Sequence, residues 1–200
     1  MTLTSLRMAA MAVALSAAAL PAAQAVTLDS VVANGNTVST DFFAPELISA
    51  DIGFNADTQV TLNMTVDGTE AQQVVAFNAV LDQLQPGNAF SKLLLTLSGG
   101  ASFMSLGGTT TLNNLSVPSV TLLDGNQTAL ISLPVPETGV YVGNPFFGIS
   151  QDWQIGFSGL AGGDSFSLTV SAVPEAGSLL LALTGLGVVG ASRLKARRQR

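Results

Sequence analysis

Two stretches of this chain alternate apolar and polar side chains with a period of two. Between Thr58 and Val66, the residues Val60, Leu62, Met64 and Val66 share one face while Thr61, Asn63 and Thr65 share the other. Between Ser165 and Ala172, Phe166, Leu168, Val170 and Ala172 separate from their polar neighbours in the same way. Successive side chains of an extended strand point to opposite sides, so such a segment buries one face and wets the other. Shorter segments from Lys92 to Ser98, Thr109 to Val117, Val120 to Leu123, Thr128 to Leu133 and Asp152 to Phe157 are further predicted strands. Between and around them stand Pro86-Gly87, Gly99-Gly100, Gly107-Gly108, Asp124-Gly125, Gly143-Asn144-Pro145 and Gly162-Gly163-Asp164, all turn chemistry. Turns spaced about ten residues apart between short strands predict an all-β domain, an antiparallel β-sandwich of jelly-roll-like form.

One segment supports two readings. From Glu70 to Leu84, Val74, Phe77, Leu81 and Leu84 recur at three- and four-residue spacing. Thr69 and Gln72 are placed to form a capping box, and Pro86-Gly87 to end a helix. Against this, Val74-Val75, Phe77 and Val80 favour a strand, paired with Val60–Val66 through the Asp67-Gly68 turn. The balance tips to the strand.

The ends of the chain differ from its middle. Met1–Arg7 carries one cation, Met8–Leu20 is apolar, Pro21 interrupts it, and Ala23-Gln24-Ala25 supplies small residues in a small-x-small pattern. That order is a secretory signal peptide over residues 1–25, cleaved by signal peptidase after Ala25. At the other end, Ala176–Ser192 is an uncharged apolar run. As a helix rising ~1.5 Å per residue it spans ~25 Å, at the short end of what a bilayer needs. Arg193, Lys195, Arg197, Arg198 and Arg200 follow without an acid. Such a cluster stays on the cytoplasmic side, so the domain before it faces outward. The organisation read from these features is a signal peptide at 1–25, an ectodomain at 26–172 and a terminal signal at 173–200.

Val173-Pro174-Glu175-Ala176, the apolar span and the basic end together resemble the PEP-CTERM sorting signal of Gram-negative bacteria. The usual motif is Val-Pro-Glu-Pro, and here Ala176 occupies the fourth place. The resemblance implies an exosortase-type transpeptidase acting at or near these four residues. It also implies a precursor held transiently in the inner membrane with its ectodomain in the periplasm, delivered later to the outer surface or matrix. A host that makes exopolysaccharide or biofilm is implied as well, with the polymer as a partner. Two functional readings follow: a structural or matrix-associated protein, and a carbohydrate-binding or adhesive module.

Charge and composition narrow the chemistry. Within residues 26–173 one lysine, Lys92, stands against twelve acids, a net charge of −11. That field opposes DNA and RNA, which are held by basic surfaces. No cysteine is present, so neither a disulfide nor a thiol nucleophile exists. Histidine is also absent, which excludes a Ser-His-Asp triad and a histidine metal site. Paired carboxylates remain chemically sufficient for glycoside hydrolysis, but no spacing singles out a pair. The expectation is a non-enzymatic protein without a cofactor.

Several local patterns have both a functional and a plain reading. Asp51, Asn55 and Asp57 offer oxygen ligands to calcium without the usual loop register, and a polar loop is the simpler reading. Val135-Pro136-Glu137-Thr138-Gly139 is similar to a sortase substrate; with no apolar span behind it, it is expected to be a loop between strands. Trp153, Tyr141, Phe146 and Phe147 are able to stack on sugar rings, though isolated aromatics in strand-like sequence more often fill a core.

Overall fold

The computed structural model describes residues 26–40, 46–55, 59–67, 74–113, 117–143 and 152–173. Among them are thirteen strands and a single 3-10 turn, with no longer helix. In chain order the strands are β1 (Val26–Val32), β2 (Thr37–Ser39), β3 (Leu47–Phe54), β4 (Gln59–Val66) and β5 (Val74–Gln83). They continue as β6 (Phe90–Leu97), β7 (Ser102–Ser105), β8 (Thr109–Thr111) and β9 (Ser119–Leu123). The last four are β10 (Thr128–Glu137), β11 (Gly139–Val142), β12 (Trp153–Gly156) and β13 (Ser165–Val173).

These strands form two sheets. The first has the order β1-β4-β13-β6-β10-β9; the second has β2-β3-β5-β11-β8, with β12 joining β5 and β7 joining β12. Alternation along each strand sends one face of each sheet into a common core. Val60, Leu62 and Met64 on β4 and Leu168 and Val170 on β13 are fully buried, as are Phe77, Ala79 and Leu81 on β5. Each of these side chains other than that of Ala79 contributes roughly 1.5–3 kcal/mol relative to exposure. The two sheets touch directly where Phe54 of β3 meets Phe90 of β6 edge to face, ring centroids 5.5 Å apart. Trp153 is enclosed by Phe77 and Phe103, and its indole N–H donates to the Thr109 hydroxyl at 3.2 Å.

Residues 74–83 are a strand, in agreement with the balance of the sequence. The buried set there is Val75, Phe77, Ala79 and Leu81, a period of two, whereas Val74 and Leu84 are 37% and 49% exposed. The expected hairpin with Val60–Val66 does not form. Both edges of β4 are occupied by β1 and β13, and β5 lies in the other sheet against β3, β11 and β12. The chain leaves the second sheet after β3, crosses to the first as β4, and returns as β5 running the same way as β3. The β3–β5 pair is therefore parallel, and the sandwich is mixed where a purely antiparallel one was expected.

The segment Val135–Gly139, expected to be a loop, lies on strands. Pro134 and Pro136 have no N–H to give a ladder, and the pairing of β10 with β6 slips between Ser132 and Glu137. The chain turns at Thr138 and enters the second sheet as β11, so this stretch is a corner that joins the two sheets. Of the segment Thr109–Val117, the described residues are strand only over Thr109–Thr111, and 114–116 lie outside the described residues. The Asp124-Gly125 turn forms as read, with Asp124, Gly125 and Asn126 all at positive φ between β9 and β10.

Among the described residues no helix is long and apolar enough to cross a membrane. The apolar span at 176–192, the cleavage residues Ala23 and Ala25, the motif residues Pro174, Glu175 and Ala176, and the basic residues Arg193, Lys195, Arg197, Arg198 and Arg200 lie outside the described residues. β13 runs to Val173, the first residue of the motif.

Candidate functional site

The two outward faces of the sandwich differ in chemistry. On the second sheet, Asp51 of β3, Asp82 of β5 and Tyr141 of β11 project to the same side. Asp51 and Tyr141 are both in register with Val80, and Asp82 is in register with Gly53 and Gly139. Gly139 is required here: a Cβ at that position would stand 2.8 Å from the Asp82 carboxylate and 2.9 Å from Leu112. A cleft of about 270 Å³ opens beside Asp82, lined by Thr37, Ser39, Asp51, Gly53 and Leu84 among others. Burial, and then the charge of Asp51, holds the Asp82 carboxyl above the ordinary carboxylate value. Burial and then the charge of Asp82 push the Tyr141 phenol upward as well. Both groups are thus harder to ionise than they would be in open water.

Next to it lies a buried polar chain. The Ser49 hydroxyl donates to Asn78 Oδ1 at 2.6 Å, and the Asn78 amide donates to Asp152 Oδ2 at 3.4 Å. All three residues are nearly inaccessible. Glu137, at the corner between sheets, is 1% exposed; Asn113 donates to its Oε2 at 3.1 Å, while Oε1 has no hydrogen-bond partner.

The outer face of the first sheet carries hydroxyls in rows. Thr61 of β4, Thr169 of β13, Thr96 of β6 and Thr128 of β10 are consecutive register partners across four adjacent strands. Thr61 and Thr169 share a hydrogen bond of 3.0 Å. One row over, the Asn63 amide donates to Ser30 at 3.0 Å, and Ser98 and Ser167 are hydrogen-bonded at 2.7 Å. Thr65 donates to Asp29 at 2.7 Å near the next row. On the strands of this sheet the charged residues are Asp29, Lys92 and the buried Glu137.

The sequence candidates fare unevenly. Asp51 lies within β3 and Asn55 just past its end, so four residues of extended chain separate them by about 13 Å. The structure does not bring that pair together, and Asp57 lies outside the described residues. Asn55 N–H donates instead to the side chain of Asn36 at 2.9 Å. Among the described residues no group of three or more His, Cys, Asp or Glu is placed to hold a metal ion. Of the aromatic candidates Trp153 is core, Tyr141 is half-buried, and Phe146 and Phe147 lie outside the described residues. The Asp51–Asp82–Tyr141 grouping escaped the sequence reading, because its members meet only through the parallel β3–β5 pairing and the corner into β11. A local sign existed in Gly53 within β3 and Gly139 at the start of β11, where a glycine on a strand marks close approach of neighbouring groups.

Neither family models, nor curated proteins, nor solved structures provide a match to this chain.

Proposed function

We propose that this chain is an exported structural protein of a cell surface or extracellular matrix, sorted through its C-terminal signal by an exosortase-type transpeptidase. In this reading residues 1–25 are removed by signal peptidase, and 176–192 hold the precursor in the inner membrane as a helix. The body, a jelly-roll-like sandwich, then reaches the surface or matrix, acts without a cofactor and performs no catalytic step. Support for the sorting part is the order of motif, apolar span and cations at residues 173–200.

One observation carries the choice of a structural role over an aromatic sugar-binding site. Phe54, Phe77, Phe90, Phe103, Trp153, Phe157 and Phe166 are all buried, which leaves Tyr141 alone partly accessible among the described aromatics. Recognition of a single sugar by stacking has no exposed platform there. A body with net charge −11 and hydroxyl-rich faces stays solvated and repels its own copies at low salt. Each hydrogen bond it makes to a polymer hydroxyl is worth ~1 kcal/mol, so retention depends on many contacts at once.

The test replaces Pro174 and Glu175 with Ala in the full chain, expressed in an exosortase-bearing host. The precursor is expected to stay at full length in the inner membrane. Normal processing and export of the double variant would refute the sorting reading.

A further inference from the structure

We propose that the outer face of the first sheet is a binding surface for a neutral, extended polysaccharide, engaged through its rows of side-chain hydroxyls. This deepens the matrix reading above and rests on it. The row Thr61–Thr169–Thr96–Thr128 crosses four adjacent strands, with Ser30, Asn63, Ser167 and Ser98 beside it. Neighbouring strands lie about 4.8 Å apart and alternate residues on one strand about 6.7 Å apart. The face is therefore a lattice of mostly polar groups at fixed intervals, interrupted by Val32 and Leu123 at the ends of the threonine row and by Leu94 and Leu130 in a neighbouring row, with Thr128 itself nearly buried.

A serine or threonine hydroxyl has one proton and two lone pairs. In the Thr61–Thr169 and Ser98–Ser167 pairs one proton is used between the partners. Each pair keeps a second proton and further lone pairs for a ligand. A sugar hydroxyl has the same dual capacity, so the two surfaces are complementary in kind.

Charge defines the ligand further. The four-threonine row is uncharged, and the strand charges on this face are confined to Asp29 on the edge strand β1 and Lys92 on β6. The net −11 of residues 26–173 repels polyanions, which selects a neutral polymer. Length matters because, among the described residues, this face presents no aromatic ring to clamp a single sugar, and individual hydroxyl contacts are weak. A chain that repeats hydroxyls along the lattice binds through their number. Thr61, Thr96 and Thr169 are each partly accessible, as this contact requires.

The experiment uses the full chain in a zwitterionic detergent, sedimented with insoluble cellulose, curdlan or mannan, and with anionic alginate beads as the contrast. Thr61→Val, Thr96→Val and Thr169→Val are combined, since valine keeps the β-branched shape and removes the hydroxyl. Retention on at least one neutral polymer is expected, exceeding that on alginate and falling at least tenfold in the triple variant. Thr110→Val, on the second sheet, is expected to bind as the parent does. The fluorescence of buried Trp153 reports whether each variant is folded; should the triple variant fail, Ser98→Ala with Ser167→Ala takes its place with the same expectation. Absence of retention on all three neutral polymers, undiminished binding by the folded variants, or preference for alginate would overturn the proposal. Normal exosortase processing of a chain that binds none of them sinks this proposal alone. Binding by a chain whose processing ignores Pro174 and Glu175 sinks the sorting reading alone.

Discussion

The Asp82 carboxyl is held above its ordinary value by its surroundings on the second sheet. It is squeezed between strands at Gly139, half removed from water, and exposed to the charge of Asp51. Its folded-state affinity for a proton exceeds the ordinary value of 3.8, so the native state binds that proton more tightly than the unfolded chain does. The contribution of Asp82 to stability is therefore greatest while it is protonated and declines as pH rises from about the ordinary value through the raised one. Replacing Asp82 with Asn should remove that decline and raise the thermal midpoint at neutral pH. A midpoint in Asp82→Asn that still falls with pH as in the parent would show that Asp82 is not the group responsible. Little of this was legible in the sequence, where Asp82 was one of twelve acids scattered over residues 26–173. Distance along the chain conceals a partner that only parallel pairing supplies. Asp51 and Asn55, by contrast, are near in sequence and yet are held apart by the extended backbone between them.

At the scale of the strand, β4 and β13 were readable because each has one wet face and one dry face. Leu62 and Leu168 are register partners with no exposure. Substituting Asp at either should cost several kcal/mol, because an unpaired carboxylate has no water and no cation in that core. Denaturant titration checks this; loss of less than about 1 kcal/mol, within the range of ordinary surface changes, would contradict the burial argument. Thr61→Val on the opposite face should stay close to the parent. β3 alternates too, with Ile48, Ala50, Ile52 and Phe54 on one face and Ser49, Asp51 and Gly53 on the other, but Asp51, Asn55 and Asp57 give its second half the look of a polar loop. β2, β7 and β8 have three or four residues each, too few for a period to be visible. The 70–84 ambiguity had a different source. Val74 and Leu84, which completed the helical spacing, are exposed and sit at or just beyond the ends of β5, while Val75 and Ala79 join Phe77 and Leu81 in a buried period of two.

For the whole molecule, the decisive arrangement is the position of β13, last in sequence among the described strands and central in the first sheet. It has β4 on one side and β6 on the other, joining β1-β4 to β6-β10-β9. Deleting residues 165–173 should abolish cooperative unfolding, since it removes Phe166, Leu168 and Val170 from the core and separates the sheet into two parts. A truncated chain that still melts in one sharp transition would contradict this. The all-β class was legible from alternation and turns, whereas this closing order was not, because strand neighbours far apart in sequence leave no local trace. The order has a bearing on time. In a chain threaded through a membrane from its N-terminus, β4 and β6 emerge early with facing edges that stay unpaired until the final described strand arrives. On the export reading proposed above, the body is not complete until β13 has crossed, and a passage interrupted before that leaves two open edges able to capture strands from other copies.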